Sequence, residues 1–268
     1  MADDDAGRPA DSLVIAGLVP LSTVDWPGRL CATVFLQGCP WNCPYCHNHA
    51  LIPTRVPGIV DWQEVRDLMA RRRGLLDGVV FTGGEALRQD ALADAAAEVR
   101  AMGFEVGLHT AGAYPRRLAD ILPLVDWVGL DVKALPEHYE AVAGRPGSGA
   151  KAWECLDIVL AAAGDAAEDG AAGKRAGGVG SVLGGRTRPL LYEVRTTVMP
   201  HDVTADDAFE VARRCKEKGV RSYALQQARA QGTREGFVAV APGWDSRCER
   251  LAERIEALGF DHFEYRPA

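Results

Sequence analysis

From Ala32 to the C-terminus, short apolar runs rich in β-branched and aromatic residues alternate with longer amphipathic or alanine-rich segments. The short runs read as strands at Ala32–Leu36, Gly78–Phe81, Phe104–Leu108, Trp127–Leu130, Leu190–Val198 and Val220–Leu225, with a final extended piece at Phe260–Tyr265. The segments between them read as helices at Asp61–Arg73, Arg88–Met102, Pro115–Leu122, Trp153–Ala163, Ala205–Lys218 and Asp245–Leu258. Local chemistry agrees. Asp61 stands three residues before Glu64, the spacing of a capping box, and Pro115 sits in a first helical turn. Strands alternating with helices predict an α/β fold with a parallel sheet and right-handed crossovers. The count, about six βα units, is too small for a closed eight-fold barrel.

Two stretches break this pattern. Met1 to Ser12 is acidic and polar and reads as a disordered tail. Gly164 to Arg188 is rich in glycine and alanine and lacks aromatic residues, so it reads as a flexible insertion. Residues 13–268 then form one domain, starting with a short apolar segment, Leu13–Val19. At 268 residues and 47% hydrophobic, the chain builds a full core without a metal to hold the fold.

The net charge of −7 comes with no long block of one sign. Arg71-Arg72-Arg73 is the densest basic run, and it closes a helix, where cations suit the dipole. No nucleic-acid partner is expected. No apolar run reaches membrane-spanning length, and the N-terminus lacks the basic and apolar regions of a signal peptide. A cytoplasmic protein without a membrane partner is expected. In that compartment thiols stay reduced, and clustered cysteines indicate metal or catalysis.

Such a cluster follows the first strand. Cys39, Cys43 and Cys46 are spaced C-x3-C-x2-C in a loop that Gly38, Pro40 and Pro44 keep irregular. Three thiolates can hold a [4Fe–4S] cube with one iron left open, the mark of a reactive centre. Other readings exist. Cys43 and Cys46 form a C-x2-C redox pair, but that leaves Cys39 unexplained. C-x2-C-H, ending at His47, is a haem-attachment pattern, which goes with export. Structural zinc on the three cysteines with His47 or His49 suits smaller, loop-rich units. Cys31, Cys155, Cys215 and Cys248 lack ligand spacing and read as small apolar fillers.

Polar residues cluster at other strand ends, which the fold gathers at one mouth. Gly83-Gly84-Glu85 ends the second strand: glycines admit a ligand close to backbone, and the glutamate can accept from an ammonium. An ordinary βα turn is the plainer reading. Asp131 and Lys133 share a face by period two, as do Glu193 and Arg195. Each pair is either a salt bridge or a ligand contact. Thr110 is a further polar candidate, and His201 a weaker one.

The wording around the cysteines narrows the choice. Ser22-Thr23-Val24-Asp25-Trp26-Pro27-Gly28, Phe35-Leu36-Gln37-Gly38-Cys39 and Cys43-Pro44-Tyr45-Cys46-His47-Asn48 resemble the radical S-adenosylmethionine (radical SAM) superfamily. Within it, the chain is similar to glycyl-radical-enzyme activases, above all those of anaerobic ribonucleoside-triphosphate reductase. The resemblance runs from about Gly17 to the C-terminus apart from the insertion. It implies a partial (βα)6 TIM-type barrel, a [4Fe–4S] cluster on Cys39, Cys43 and Cys46, and S-adenosylmethionine on its open iron. It also implies cofactor contacts from Tyr45 beside adenine, from Gly83, Gly84 and Glu85 to the methionyl amine, and from Thr110, Asp131, Lys133 and Arg195 to the ribose and carboxylate. Ala86 stands where the family usually has proline. The implied reaction is one-electron reductive cleavage to methionine and a 5′-deoxyadenosyl radical, which takes a hydrogen from a partner's glycine. The partners implied are a glycyl-radical enzyme, by wording the anaerobic ribonucleotide reductase and otherwise a formate-lyase type, and a one-electron donor such as flavodoxin or ferredoxin. From a different class, a non-catalytic zinc or iron–sulfur module would not need the polar strand ends.

Overall fold

The computed structural model describes residues 9–171, 189–200 and 203–268. Eight strands form one sheet in sequence order: β1 (Ile15–Ser22), β2 (Cys31–Leu36), β3 (Gly78–Gly83), β4 (Glu105–Thr110), β5 (Trp127–Asp131), β6 (Leu191–Val198), β7 (Ser222–Gln227) and β8 (His262–Arg266). β1 runs antiparallel to β2, and β2 to β8 are all parallel. The crossovers carry α1 (Trp62–Arg71), α2 (Leu92–Ala101), α3 (Pro115–Ile121), α4 (Tyr139–Ala143), α5 (Ser148–Ala171), α6 (Val203–Glu217) and α7 (Trp244–Glu256). β1 and β8 end the sheet, so the expected partial barrel of six βα units is present and open between them.

Alternation along the strands divides the interior in two. Val79 and Phe81, Val106 and Leu108, and Val128 and Leu130 face the helices and join one large core with Leu92, Leu118 and Leu156. The intervening face carries a separate, small cluster of Trp26, Cys31, Val80 and Trp127. The first is the layer that holds helices on the sheet; the second lies within the barrel. Cys31, Cys155, Cys215 and Cys248 are all buried and free, as small apolar residues are.

Several boundaries differ from the sequence reading for identifiable reasons. Residues 9–12 are not tail: Pro9–Ser12 is a 3₁₀ turn with Ala10 fully buried, and Asp11 pairs with Arg66 at 2.6 Å. Residues 1–8 lie outside the described residues, as do 172–188 of the expected insertion and His201. The expected break at Gly164 is absent from the described residues, because α5 continues through Gly164 to Ala171. α2 starts at Leu92 rather than Arg88, because Gln89 leaves the helical path. Its side chain pairs with Val14 N and O at 2.8 and 3.0 Å and with Gln37 O at 3.1 Å, tying β1 to the end of β2. The capping box of α1 forms, with Glu64 accepting from Asp61 N at 3.0 Å. Arg66 then spans to Glu98 at 2.8 and 3.1 Å, joining α1 to α2.

Of the two readings left open for Arg195 and Glu193, the ion pair between them does not form. Glu193 accepts two bonds from Arg266 of β8 at 2.9 and 2.8 Å, and it is buried. The two charges lie on strands that flank β7, so the pair fastens the last strand across its neighbour. Removing one partner strands a buried carboxylate. Arg266→Ala is expected to lower unfolding free energy by about 2 kcal/mol, less than a fully buried pair because the arginine is partly exposed. Urea denaturation of the two proteins checks this.

Candidate functional site

The cysteine loop begins where β2 ends. Gly38 leaves the strand at φ 96°, a conformation suited to glycine. The loop closes on itself through Gly38 N to Leu51 O at 2.8 Å and Cys39 N to Ile52 O at 3.0 Å. Gln37 braces it from inside, donating to Pro53 O at 2.7 Å. Trp41 is buried edge-on against Tyr139 at 5.6 Å, so it shapes the loop rather than facing outward. Asn42 N donates to Ala143 O, and Arg145 to Pro40 O, both at 3.0 Å, which docks the loop on the α4 region.

Three other strand ends meet this loop. From β3, Glu85 N donates to Gly38 O at 2.9 Å, and Gly83 O accepts from Asn48 at 3.1 Å. A Cβ on Gly84 would lie 2.3 Å from Gly38 O, and one on Gly83 2.4 Å from Leu36 N. The two glycines are thus required by backbone packing itself. From β7, Arg229 N donates to His47 Nε2 at 2.9 Å, and His49 N donates to Gly232 O at 3.2 Å. From β5, Lys133 Nζ lies 5.5 Å from the Tyr45 ring centre.

The polar candidates divide into two groups. Glu85 is fully buried and accepts from Leu87 N at 3.2 Å, Thr110 Oγ1 at 2.8 Å and Ala111 N at 2.9 Å. Burial raises its carboxyl against these donors. The Thr110 hydroxyl in turn accepts from Gly112 N at 3.0 Å, so its donor and one lone pair serve the protein. Asp131 sits between two cations: Lys133 Nζ at 3.1 Å and Arg195 Nε at 2.9 Å. Arg195 also donates to Gly129 O at 3.2 Å. Burial alone would raise the Asp131 carboxyl, but Lys133 and Arg195 overcome it and hold it well below the carboxylate range. Two cations on one anion leave a net positive charge at this spot.

His109 was not singled out from the sequence, and Thr82 entered only as the first residue of the motif that ends in Glu85. His109 Nε2 donates to Asp25 O at 2.7 Å, and its Nδ1 accepts from Thr82 Oγ1 at 3.3 Å. They sit one register step below the Asp131–Arg195 pair. Period two puts Thr82 on the face of Gly84, but it puts His109 opposite Thr110, and only cross-strand register brings His109 beneath Asp131.

The donor set fits an iron–sulfur cluster. Three free thiols occupy one loop. Burial pushes the Cys39 thiol up to about 12, with Glu85 adding to the rise. Burial also raises Cys43 and Cys46, while Lys133 opposes it at both. Iron binding deprotonates such thiols outright, and a nearby ammonium favours the thiolates. Tyr45 OH and His49 Nδ1, both in this loop, are buried without a protein partner, which suits a bound group beside them. Among the described residues, no three His, Cys, Asp or Glu side chains converge on one metal ion. A cube spreads its thiolates over separate irons and needs a wider spacing than a single zinc.

An open parallel barrel with three loop cysteines at its C-terminal mouth defines a class. Residues 33–167, half of the chain, match the Radical SAM superfamily, and the chain belongs to it. Enzymes of this superfamily use a [4Fe–4S] cluster and S-adenosylmethionine, and this chain is an enzyme of that class. A Methanocaldococcus jannaschii protein that bears the name of a glycyl-radical enzyme activating enzyme is 27% identical over 221 residues, 80% of this chain and 79% of its own. The pyruvate formate-lyase-activating enzyme of Clostridium pasteurianum is 30% identical over 137 residues, 49% of this chain and 57% of its own. A radical SAM methyltransferase from Sphaerobacter thermophilus shares the fold, with a TM-score of 0.57 at 17% identity over 96% of this chain and 77% of its own. Among the described residues no helix is long and apolar enough to cross a membrane.

Asp131 provides the test of the site's charge balance. Its folded pKa is depressed, so the stability it contributes is present above the ordinary carboxylate value and lost as pH falls through the folded one. Asp131→Asn leaves two cations without their anion. It is expected to cost about 3 kcal/mol at neutral pH, with the difference from wild type narrowing below about pH 4. Thermal unfolding across that range measures it.

Proposed function

We propose that this chain is a glycyl-radical-enzyme activase, and that its partner is an anaerobic ribonucleoside-triphosphate reductase. One observation carries the reading: the cysteine loop, the Gly83–Glu85 turn and the Asp131–Lys133–Arg195 cluster are joined at one mouth by direct hydrogen bonds and close contacts. A passive metal module has no need of the last two. Names among the relatives support activase chemistry, and the wording from Ser22 to Asn48 supports the reductase as partner.

In this reading Cys39, Cys43 and Cys46 hold three irons. The bound cluster and S-adenosylmethionine supply one-electron reductive cleavage to methionine and a 5′-deoxyadenosyl radical. The protein's part is placement. Glu85 Oε2 accepts one bond from the chain, leaving a lone pair for the methionyl ammonium. The net positive charge of Lys133 and Arg195 around Asp131 suits the methionyl carboxylate. Thr110 positions Glu85 rather than touching the ligand. Tyr45, packed beside Lys133, offers a flat face for adenine. A reducing cytoplasm, with a flavodoxin or ferredoxin as electron source, suits three clustered thiols. A formate-lyase-type partner is the second reading, favoured by the Clostridium relative's name.

The test is anaerobic. Wild type and Cys43→Ala are loaded with iron and sulfide, reduced, and given S-adenosylmethionine. Wild type is expected to release 5′-deoxyadenosine and the variant at least a hundredfold less, on the order of a lost catalytic group. Electron paramagnetic resonance then compares the two candidate partners: a carbon-centred radical on the reductase alone supports the first reading, and one on the formate-lyase type alone supports the second. A wild type that takes up no cluster overturns the activase.

A further inference from the structure

The Ser22–Gly28 segment marks the resemblance to activases, yet it stands far from the thiols. It joins β1 to the start of β2, at the end of the barrel opposite the mouth. Instead of crossing outside, it turns inward. Trp26 is 2% exposed and stacks on Trp127 of β5, ring centres 5.7 Å apart. The strands are cut away to receive it. A Cβ on Gly107 of β4 would lie 2.9 Å from the Trp26 ring, and one on Gly78 of β3 would lie 3.1 Å from it. One tier higher, a Cβ on Gly129 would lie 2.8 Å from both Trp127 and Arg195.

The segment is also pinned by polar bonds. Ser22 Oγ accepts from Asp25 N at 3.2 Å, Thr33 donates to Asp25 Oδ2 at 2.7 Å, and Asp25 O accepts from His109. Strand register orders three tiers. Thr33, Val80, Gly107 and Trp127 form the lowest, with Trp26 against it. Thr82, His109 and Gly129 form the next, and Asp131 with Arg195 the third.

We propose that the Ser22–Gly28 segment is a plug that seals the barrel floor, and that Trp26 is a positioning residue for the cofactor site. It holds the Asp25 carbonyl against His109, and so keeps the tier beneath Asp131 and Arg195 dry and fixed. Cofactor and partner loop must then share the C-terminal mouth. The inference rests on the mouth being the S-adenosylmethionine site. The groups facing His109 are Asp25 from the plug, Thr82 from β3, Trp127 and Asp131 from β5 and Arg195 from β6. Burial, and next Arg195, push its imidazole down to about 3, in keeping with a dry tier.

The test uses cluster-loaded protein whose folding is checked by circular dichroism. Two quantities are read: deuterium exchange at His109 C2 between roughly pH 5 and 8, and affinity for S-adenosylmethionine by calorimetry. In wild type, exchange is expected to be slow and without a step. In Trp26→Ala it quickens, gains a step near the ordinary histidine value of about 6.5, and affinity falls at least about tenfold. Gly107→Ala, which pushes against the ring, reproduces both changes. The two changes are less than additive in the double variant, because they share the contact with the ring, while the added methyl also meets Val80 at 2.9 Å. Unchanged exchange and affinity in Trp26→Ala overturn the plug. Should that variant not fold, unchanged exchange in Gly107→Ala does so. A wild type that fails to bind S-adenosylmethionine overturns the site reading instead, and the plug is then judged on His109 exchange alone.

Discussion

Two backbones meet at Gly38 and Gly84 with no room for a side chain between them. That contact makes the end of β2 and the end of β3 a single unit. Glu85 N donates across it, and Asn48 of the cysteine loop reaches the Gly83 carbonyl beside it. The thiols and the buried carboxylate therefore cannot shift independently. A packed backbone contact of this kind has discrete arrangements rather than a continuous range. Positional precision of these groups comes from this contact before any ligand binds.

Charge is organised around the same frame. The chain is acidic overall, at −7, yet the described mouth sets two cations against Asp131 and keeps Glu85 under three donors. Ion pairs in such a site are strong because the surroundings are poor in water, and they would be costly if left incomplete. Lys133 serves two neighbours at once, Asp131 and the Tyr45 ring. It links the cysteine loop to β5 electrostatically, as Gly84 links it to β3 sterically.

Much of this was legible in the chain because it follows from local rules. Period-two runs, alanine-rich segments and the Asp61–Glu64 cap placed the strands and most helices. Cysteine spacing placed the loop. What escaped depends on tertiary partners. For Arg195 the strand face offered Glu193 as one of two possible partners, but Asp131 and Arg266 took the two charges instead. Cross-strand register decides such pairings, and register is not visible within one strand. Gln89 has good helix propensity, and it left the helix for the Val14 backbone. Gly83 and Gly84 were read either as a close approach to a ligand or as an ordinary βα turn, and backbone packing requires them in either case. His109 was passed over because its partners, Asp25 and Thr82, lie far away in sequence.

The tiers inside the barrel explain why one sheet can be both scaffold and site. Its helix-facing side is largely apolar, with Thr110 and Thr196 as buried exceptions, and holds the helices. Along β3, β4 and β5 its inner side changes from Val80 and Trp127 at the floor, through Thr82 and His109, to Asp131 at the mouth, while Glu193 of β6, level with Gly129, carries a charge paired with Arg266. Each step needs space for a large neighbour, and glycines supply it at Gly107 and Gly129. The apolar floor lowers the local dielectric under the charged tier and so strengthens its pairs. A floor of small polar residues would admit water from below and weaken them. The charged mouth and the Trp26–Trp127 stack are thus two ends of one arrangement.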